Sequence, residues 1–342
     1  MNSANQLSTS FPDLPDAARG AESGIAIVVI GRNEGQRLLD CLASLDAGAT
    51  RIVYVDSGSH DGSPEAACRM NAHVVMLDMR LPFTAARARN AGYGEAMRLW
   101  PDVDFIQFVD GDCMVDASWL DSASRYMQAH PRTGIVFGRR RERFPEKSTY
   151  NALCDREWSG PPGEARECGG DVFVRVQALH EVGGYDSSLI AGEEPEMCVR
   201  LRALGWVIWR LDCEMTLHDA NITKMSQWWR RNKRAGHAFA EVAVMHWRSP
   251  YGIWKRSLVR SICWGGLLPA AVVVGIFQPA AMTLLALYPV QVARIAARDG
   301  FGAGGWRNGT LDVLGKFAEL QGAAIWFVNR LTHRRQKIIE YK

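Results

Sequence analysis

Between Gly24 and Val109 short β-rich runs alternate with helical ones, and this alternation restricts the fold more than any other feature. "IAIVVI" leads into "EGQRLLDCLASLDA", "RIVYVD" into "SPEAACRMN", and "HVVML" into "TAARARNAGYGEAMRLW", before "DFIQFVD" closes the series. Such repetition predicts right-handed crossovers and a buried, mostly parallel sheet of the α/β class. Ligands of such sheets bind beyond the carboxyl ends of the strands. Functional residues are therefore expected just after Ile30, Val55 and Val109, where polar residues cluster.

The middle of the chain, roughly 117–222, is less regular. It reads as a helix near 117–129, a strand near 134–138, the Pro/Gly-rich loop "EWSGPPGEARECGGD", and a helix opening at "GEEPEM". Pro195 suits the first helical turn, and the acids around it suit a helix N-terminus. Met197, Leu201 and Leu204 are expected to form its apolar face.

Composition excludes some classes. With 47% hydrophobic and 23% charged residues the chain is a folded one, and a net charge of +3 gives no indication of nucleic acid as a partner. The 8 cysteines form no C-x-x-C pair, which favours reduced thiols in a cytoplasmic setting. Residues 1–23 lack a basic start and an apolar core, so they read as a polar, disordered extension rather than a targeting peptide.

Several clusters carry candidate chemistry, each with a plainer alternative. In "VDSGSHDGS", Asp56 ends a strand before a turn and a helix start; it either builds that turn or accepts hydrogen bonds from a ligand such as a pyrimidine base. "GRNEG" puts Asn33 and Glu34 at the first strand's end. In "ARARNAG", Arg87 and Arg89 are either solvated or placed to neutralise phosphates. Asp110 and Asp112, separated by Gly111, are either a turn or a carboxylate pair for Mg²⁺ or Mn²⁺, ions that prefer hard oxygen ligands. Among Glu193, Glu194 and Glu196, one could act as a general base, its pKa held down by the helix dipole. His218 becomes a third metal ligand only if the fold brings it to the aspartates.

Taken in order, "VVIGRNEG", "VDSGSHDGS", "ARNAG", "DGD", "VGGYD" and "GEEPEMCVRLRALGW" resemble the motifs of family-2 glycosyltransferases of the GT-A fold, over about 24–230. The resemblance implies a Rossmann-like, mostly parallel central sheet and an inverting transfer of sugar from a nucleotide-diphosphate donor. By motif position, Asn33, Glu34, Asp56, Arg89 and Asp110 would lie on the donor side, and Asp112 would bind the metal with His218. Glu194 would be the general base, and Asp171 and Glu193 would face the acceptor. Two positions depart from the family: Arg32 replaces the usual aromatic before Asn33, and Glu194 replaces the usual aspartate. "QWWRR" resembles the Q-x-x-R-W motif of processive members through Gln227 and Arg230. Arg231 stands where the final Trp would be, so addition of a single sugar is expected. A sugar-phosphate nucleotidyltransferase would need a glycine-rich basic motif near the N-terminus, which "VVIGRNEG" matches poorly. A non-catalytic glycan- or nucleotide-binding scaffold would not need the full set of acids.

The last third changes character. Trp alternates with Arg and Lys through 227–260, and Ser261–Ala293 carries no charged residue. Long enough to span a bilayer, this stretch is split by Gln278-Pro279 and flanked by Lys255, Arg256, Arg260, Arg294 and Arg298. A re-entrant or two-helix hairpin with both ends cytoplasmic is expected, as against a buried hairpin of a soluble protein. The expected divisions are a GT-A domain over 24–222, interfacial Trp/Arg-rich helices over 223–260, the hairpin over 261–293, and a basic amphipathic tail over 294–342. The expected location is the cytoplasmic face of the inner membrane. The expected acceptor is a glycan or lipid-linked molecule.

Overall fold

The computed structural model describes residues 24–45 and 51–333; the polar extension over 1–23 and the end of the basic tail lie outside them. The chain divides into two compact units. Of the described residues, the first takes those up to Arg143, with Trp158–Ser188 and Glu193–Asp219. The second takes Phe144–Glu157, Leu189–Gly192 and those from Ala220 onward.

The first unit begins as the expected alternation: β1 (Gly24–Gly31), α1 (Gln36–Leu45), β2 (Ile52–Asp56), α2 (Ser63–Arg69), β3 (His73–Met76), α3 (Ala85–Leu99) and β4 (Val103–Asp110). It continues through β5 (Cys113–Val115), α4 (Trp119–Ala129) and β6 (Thr133–Glu142). Helix α5 (Thr149–Trp158) follows, all but its last residue belonging to the second unit. The first unit then resumes with β7 (Gly163–Glu164), β8 (Val172–Arg175), α6 (Val176–Glu181), α7 (Glu193–Ala203) and β9 (Val207–His218).

Among the described residues one sheet of nine strands runs in the order β3-β2-β1-β4-β8-β6-β9-β5, with β7 paired to β9. Its first four strands are parallel, and beyond β4 the pairings are mixed. The parallel part follows from unbroken apolar runs buried on both faces. Ala26, Val28, Val53, Val55, Ile106 and Phe108 pack on one side against α3 and α7. Their neighbours Ile27, Val29, Tyr54, Phe105 and Val109 pack on the other against α1 and α4. This period of two is the pleat of the strand. Register aligns the strand ends: Ile30 pairs with Val55 and Asp110, and Gly31 with Asp56. The polar residues after these strands therefore share one sheet edge.

Two sequence expectations change. The strand near 134–138 extends to Glu142, which carries Arg139, Arg140 and Arg141 along the sheet. Leu204 is not on the apolar face of α7 but 54% exposed. The helix ends there because Gly205 adopts φ +80°, donating to Arg202 O while Trp206 donates to Leu201 O. Those paired bonds are a Schellman ending.

The second unit is helical after the strands end: α8 (Met225–Met245), α9 (Lys255–Phe277), a 3₁₀ turn series over Pro279–Ala286, α10 (Leu287–Arg298) and α11 (Ala303–Leu331). Helices α8 and α11 approach so closely that a Cβ at Gly236 would lie 1.9 Å from Glu319 O, and one at Gly322 1.9 Å from Lys233 O. Two helical stretches, Lys255–Phe277 and Pro279–Arg298, are long and apolar enough to cross a membrane. They are mostly uncovered by the chain itself, with Ile276 at 72% and Phe277 at 84% exposure.

Candidate active site

Three loops at the ends of the parallel strands supply the first side chains. After β1, Asn33 takes the left-handed conformation (φ +54°), accepting from His60 N–H at 2.8 Å and donating its own N–H to Ser59 Oγ at 2.8 Å. Asn33 thereby ties this loop to the one after β2. Glu34 pairs with Arg37 at 2.6 Å, and Arg32 lies over the Phe83 ring at 4.4 Å. Asp56 is fully buried; one carboxylate oxygen accepts from the N–H groups of Gly58 and Ser59 at 2.8 Å each, the other from Tyr54 Oη–H at 3.0 Å. These bonds are those of the turn reading of "VDSGS": Asp56 builds the loop at the end of β2.

The centre is a charge cluster around a buried arginine. Arg89, on the second turn of α3, is 2% exposed. It reaches Glu193 at 2.9 Å and Glu194 at 2.8 Å through one nitrogen, and Asp110 at 2.9 Å through the other. The arginine is buried rather than solvated, and its guanidinium is engaged by three carboxylates. Arg87 instead donates to the carbonyls of Asp78, Leu81 and Pro82. The loop residue Gly170 makes room for the cluster, since a Cβ there would stand 2.5 Å from Arg89 Nη2 and 2.9 Å from Asp110 Oδ2.

Electrostatics distinguish the acids. Burial raises the Glu194 carboxyl to about 7; the neighbouring Glu193 pushes it further up and Arg89 opposes both. The expectation that the helix dipole would hold this pKa down is corrected: loss of solvent at the helix start outweighs the dipole, whose effect is typically under about 1 kcal/mol. A carboxyl poised near neutrality matches what a general base requires.

Asp112 and His218 come together, although they are far apart in sequence, because β5 pairs with β9 and places Cys113 opposite His218. Asp112 Oδ2 and His218 Nε2 are 3.4 Å apart. Burial, assisted by Arg140, lowers the imidazole to about 3, so it is neutral. Its Nδ1 faces Glu142 at 4.0 Å, and it has no hydrogen-bond partner among the described residues. A neutral imidazole and a carboxylate, with a second carboxylate behind the ring, suit a divalent cation. Donor atoms of Asp112, Cys113 and His218 lie within 4.8 Å of one another. The Cys113 thiol, however, is held protonated by burial and by Asp171, 3.2 Å away, which makes it a neighbour rather than a ligand.

Asp171 joins the two clusters. It accepts from the backbone N–H of Asp110 at 3.0 Å and from Thr216 Oγ1 at 2.9 Å, and Arg140 stands 3.5 Å away. Sequence reasoning missed Arg140, Glu142, Thr216 and Cys113. The run "GRRRER" was the available signal, but only strand pairing selects Arg140, which also lies over the Trp158 ring at 4.8 Å. Trp158 in turn meets His218 edge-on at 4.8 Å. Glu196 is bound to Arg200 on its own helix at 2.7 Å. In the second unit, Gln227 caps α8 by accepting from the N–H of Thr223 and Lys224, and Arg230 donates to Ser226 O within the helix.

Residues 26–177 match the family model described as "Glycosyl transferase family 2". The chain is 28% identical over 191 residues to "Succinoglycan biosynthesis protein ExoA" of Rhizobium meliloti (strain 1021), covering 52% of this chain and 55% of that protein. It is 24% identical over 251 residues to "Pre-mycofactocin glycosyltransferase" of Mycobacterium tuberculosis (strain CDC 1551 / Oshkosh), covering 65% and 48%. The chain thus spans about half the length of these relatives. In fold it is similar to a mannosyltransferase, PcManGT of Pyrobaculum calidifontis, solved with GDP-Man and Mn²⁺ (TM-score 0.61, 16% identity, 88% of this chain and 86% of that one).

Proposed function

From a chain that carries a family-2 glycosyltransferase domain of GT-A fold, we propose an inverting enzyme that moves one sugar from a nucleotide diphosphate to an acceptor hydroxyl. The observation that carries this reading is Glu194, a largely covered carboxyl held at 2.8 Å by Arg89 and poised at about 7. Above that pH it takes the acceptor hydroxyl's proton as the oxygen attacks the anomeric carbon. The bond from that carbon to the diphosphate breaks on the opposite face, and its electron pair leaves on the phosphate oxygen. Arg89 is paired with Glu194, Glu193 and Asp110 together, so the base does not swing away when it ionises. Asp112 and His218 would hold Mg²⁺ or Mn²⁺, which when bound stabilises the departing diphosphate as a Lewis acid.

Asn33, Glu34, Asp56 and Asp110 are assigned to the donor side, where Asn33 ties the loops after β1 and β2 together and Asp56 builds the second of them. Asp171 and Glu193 belong to the acceptor side, where Gln227 and Arg230 are also assigned through the "QWWRR" motif. Replacement of its final Trp by Arg231 favours single addition. The role in the name of the rhizobial relative, succinoglycan biosynthesis, and the two apolar helices support a glycan or polyprenyl-linked acceptor at the cytoplasmic face of the inner membrane. On this reading 24–222 is catalytic except for the parts that belong to the helical unit, 223–260 lies at the interface, 261–293 inserts as a hairpin, and 294–342, expected as a basic tail, carries α11 packed on α8.

The test is incubation of the purified chain with UDP-, GDP- and dTDP-sugars, with and without Mn²⁺, followed by product analysis. Metal-dependent transfer or donor hydrolysis with inverted anomeric configuration is expected. Failure with every donor, or retention of configuration, overturns the reading.

A further inference from the structure

The helical unit contains a cavity of about 770 Å³, within the range of small-molecule sites. Every residue lining it belongs to the second unit, so it shares none with the acid cluster described above. Its three acidic residues are already neutralised: Glu157 pairs with Arg231 at 2.7 Å, Asp312 with Arg156 at 3.0 Å, and Glu319 with Lys316 at 2.6 Å. Of the remaining bases on the wall, Arg298 pairs with Asp299 at 3.0 Å. Arg260 and Arg294 are left, and among the described residues no carboxylate lies within ion-pairing reach of either. Two guanidinium groups in surplus on one concave wall favour an anion that accepts forked hydrogen bonds, which is the geometry of phosphate.

The surroundings specify the rest of the ligand. Arg260 is on α9 and Arg294 on α10, at the two ends of the uncharged stretch Ser261–Ala293. Trp264, one turn beyond Arg260, and Trp228 and Ile295 add apolar wall to the same cavity. Beyond them the outer faces of α9 and the 3₁₀ turns expose Val273, Ile276, Phe277 and Leu284. A free phosphate would leave most of the cavity empty, whereas a phosphate attached to an apolar chain satisfies the arginines, the indoles and the exposed aliphatic faces together. We propose that this cavity binds the phosphate head of an anionic lipid, with Arg260 and Arg294 as its ligands and the chain leaving past Trp264 along α9. The inference stands without the transferase reading, because it uses none of that site's residues.

The experiment titrates the purified full chain, in a non-ionic detergent, with dodecyl phosphate, following tryptophan fluorescence; dodecanol and inorganic phosphate are run in parallel. Saturable binding of dodecyl phosphate is expected, at least about tenfold tighter than of either comparison compound. R260Q/R294Q should weaken it at least about tenfold, while Arg256→Gln, an exposed base outside the cavity, should change it by less than about twofold. Equal binding by the double variant overturns the assignment. Displacement by inorganic phosphate at matching affinity also overturns it, marking the cavity as a free-anion site. Circular dichroism and melting temperature check the fold. Should the double variant misfold, Arg294→Lys decides: it retains charge but loses the fork, so severalfold weaker binding supports the proposal and unchanged binding ends it.

Discussion

Arg89 and Glu194 meet at 2.8 Å in the first unit, on a guanidinium that is 2% exposed and also touches Glu193 and Asp110. One cation thus serves three carboxylates. Removing it leaves like charges together in a site with little solvent, and breaking a buried pair from one side costs about 3–5 kcal/mol. Arg89→Gln is expected to destabilise the domain by about 3 kcal/mol in urea denaturation, with Arg89→Lys intermediate because it restores charge without the fork. A loss below about 0.5 kcal/mol would mean the cluster is solvated.

The pH dependence of stability follows from Glu194. Its folded pKa, about 7, lies above the ordinary value of 4.5. Below that ordinary value the carboxyl is protonated in both states and its contribution is complete. As pH rises the unfolded chain ionises first, and stability is lost until pH passes the folded value. Glu194→Gln lacks this loss. The stability of the variant relative to the natural chain should therefore rise from pH 5 to about 7.5 and then level. A flat difference across that range contradicts the raised pKa.

Turnover should show the matching acid limb, increasing through about pH 7 as the base ionises. Glu194→Gln is expected to lower kcat by about 10²–10⁴-fold, while donor affinity, measured calorimetrically, stays within severalfold. Loss of donor binding together with kcat would assign Glu194 to the structure of the site instead.

Metal dependence is expected to reside in Asp112 and His218. Chelation should abolish transfer and added Mn²⁺ restore it. His218→Gln should raise the Mn²⁺ concentration needed for half-maximal activity by at least about tenfold, since loss of a partner around a metal commonly costs 10–100-fold. Asp112→Asn should raise it further. Unchanged Mn²⁺ titrations in both variants would remove these residues from the ligand set.

Gly92, the glycine of "ARNAG", tests a packing role. A Cβ there would stand 2.2 Å from Val28 Cγ1 and 3.0 Å from Val55 Cγ2. Gly92→Ala should cost about 1–3 kcal/mol through displacement of α3 from the sheet, despite the better helix propensity of alanine. Equilibrium unfolding measures it; a neutral or stabilising result would show that the helix shifts freely.

Much of the fold was legible because the parallel strands are written as unbroken apolar runs and the helices between them as amphipathic ones. Asp110, Asp112 and Glu194 were legible too, since acids after a strand or at a helix start stand out against their neighbours. Less visible was what each group touches. Arg89 and Arg87 lie two residues apart in one motif, yet the first enters the acid cluster while the second holds a surface loop. Arg140 was one of three consecutive arginines, and strand alternation chose it.

By itself the sequence determined the alternation of elements, the sheet edge on which the polar residues gather, and the uncharged stretch in the last third. Those depend on periodicity and composition, which are local. Tertiary structure alone decided that His218 meets Asp112, that burial lifts Glu194 to about 7 rather than the dipole lowering it, and that, among the described residues, Arg260 and Arg294 are left without acids. Distances between remote segments and the loss of solvent set those outcomes, and neither quantity exists until the chain has closed on itself.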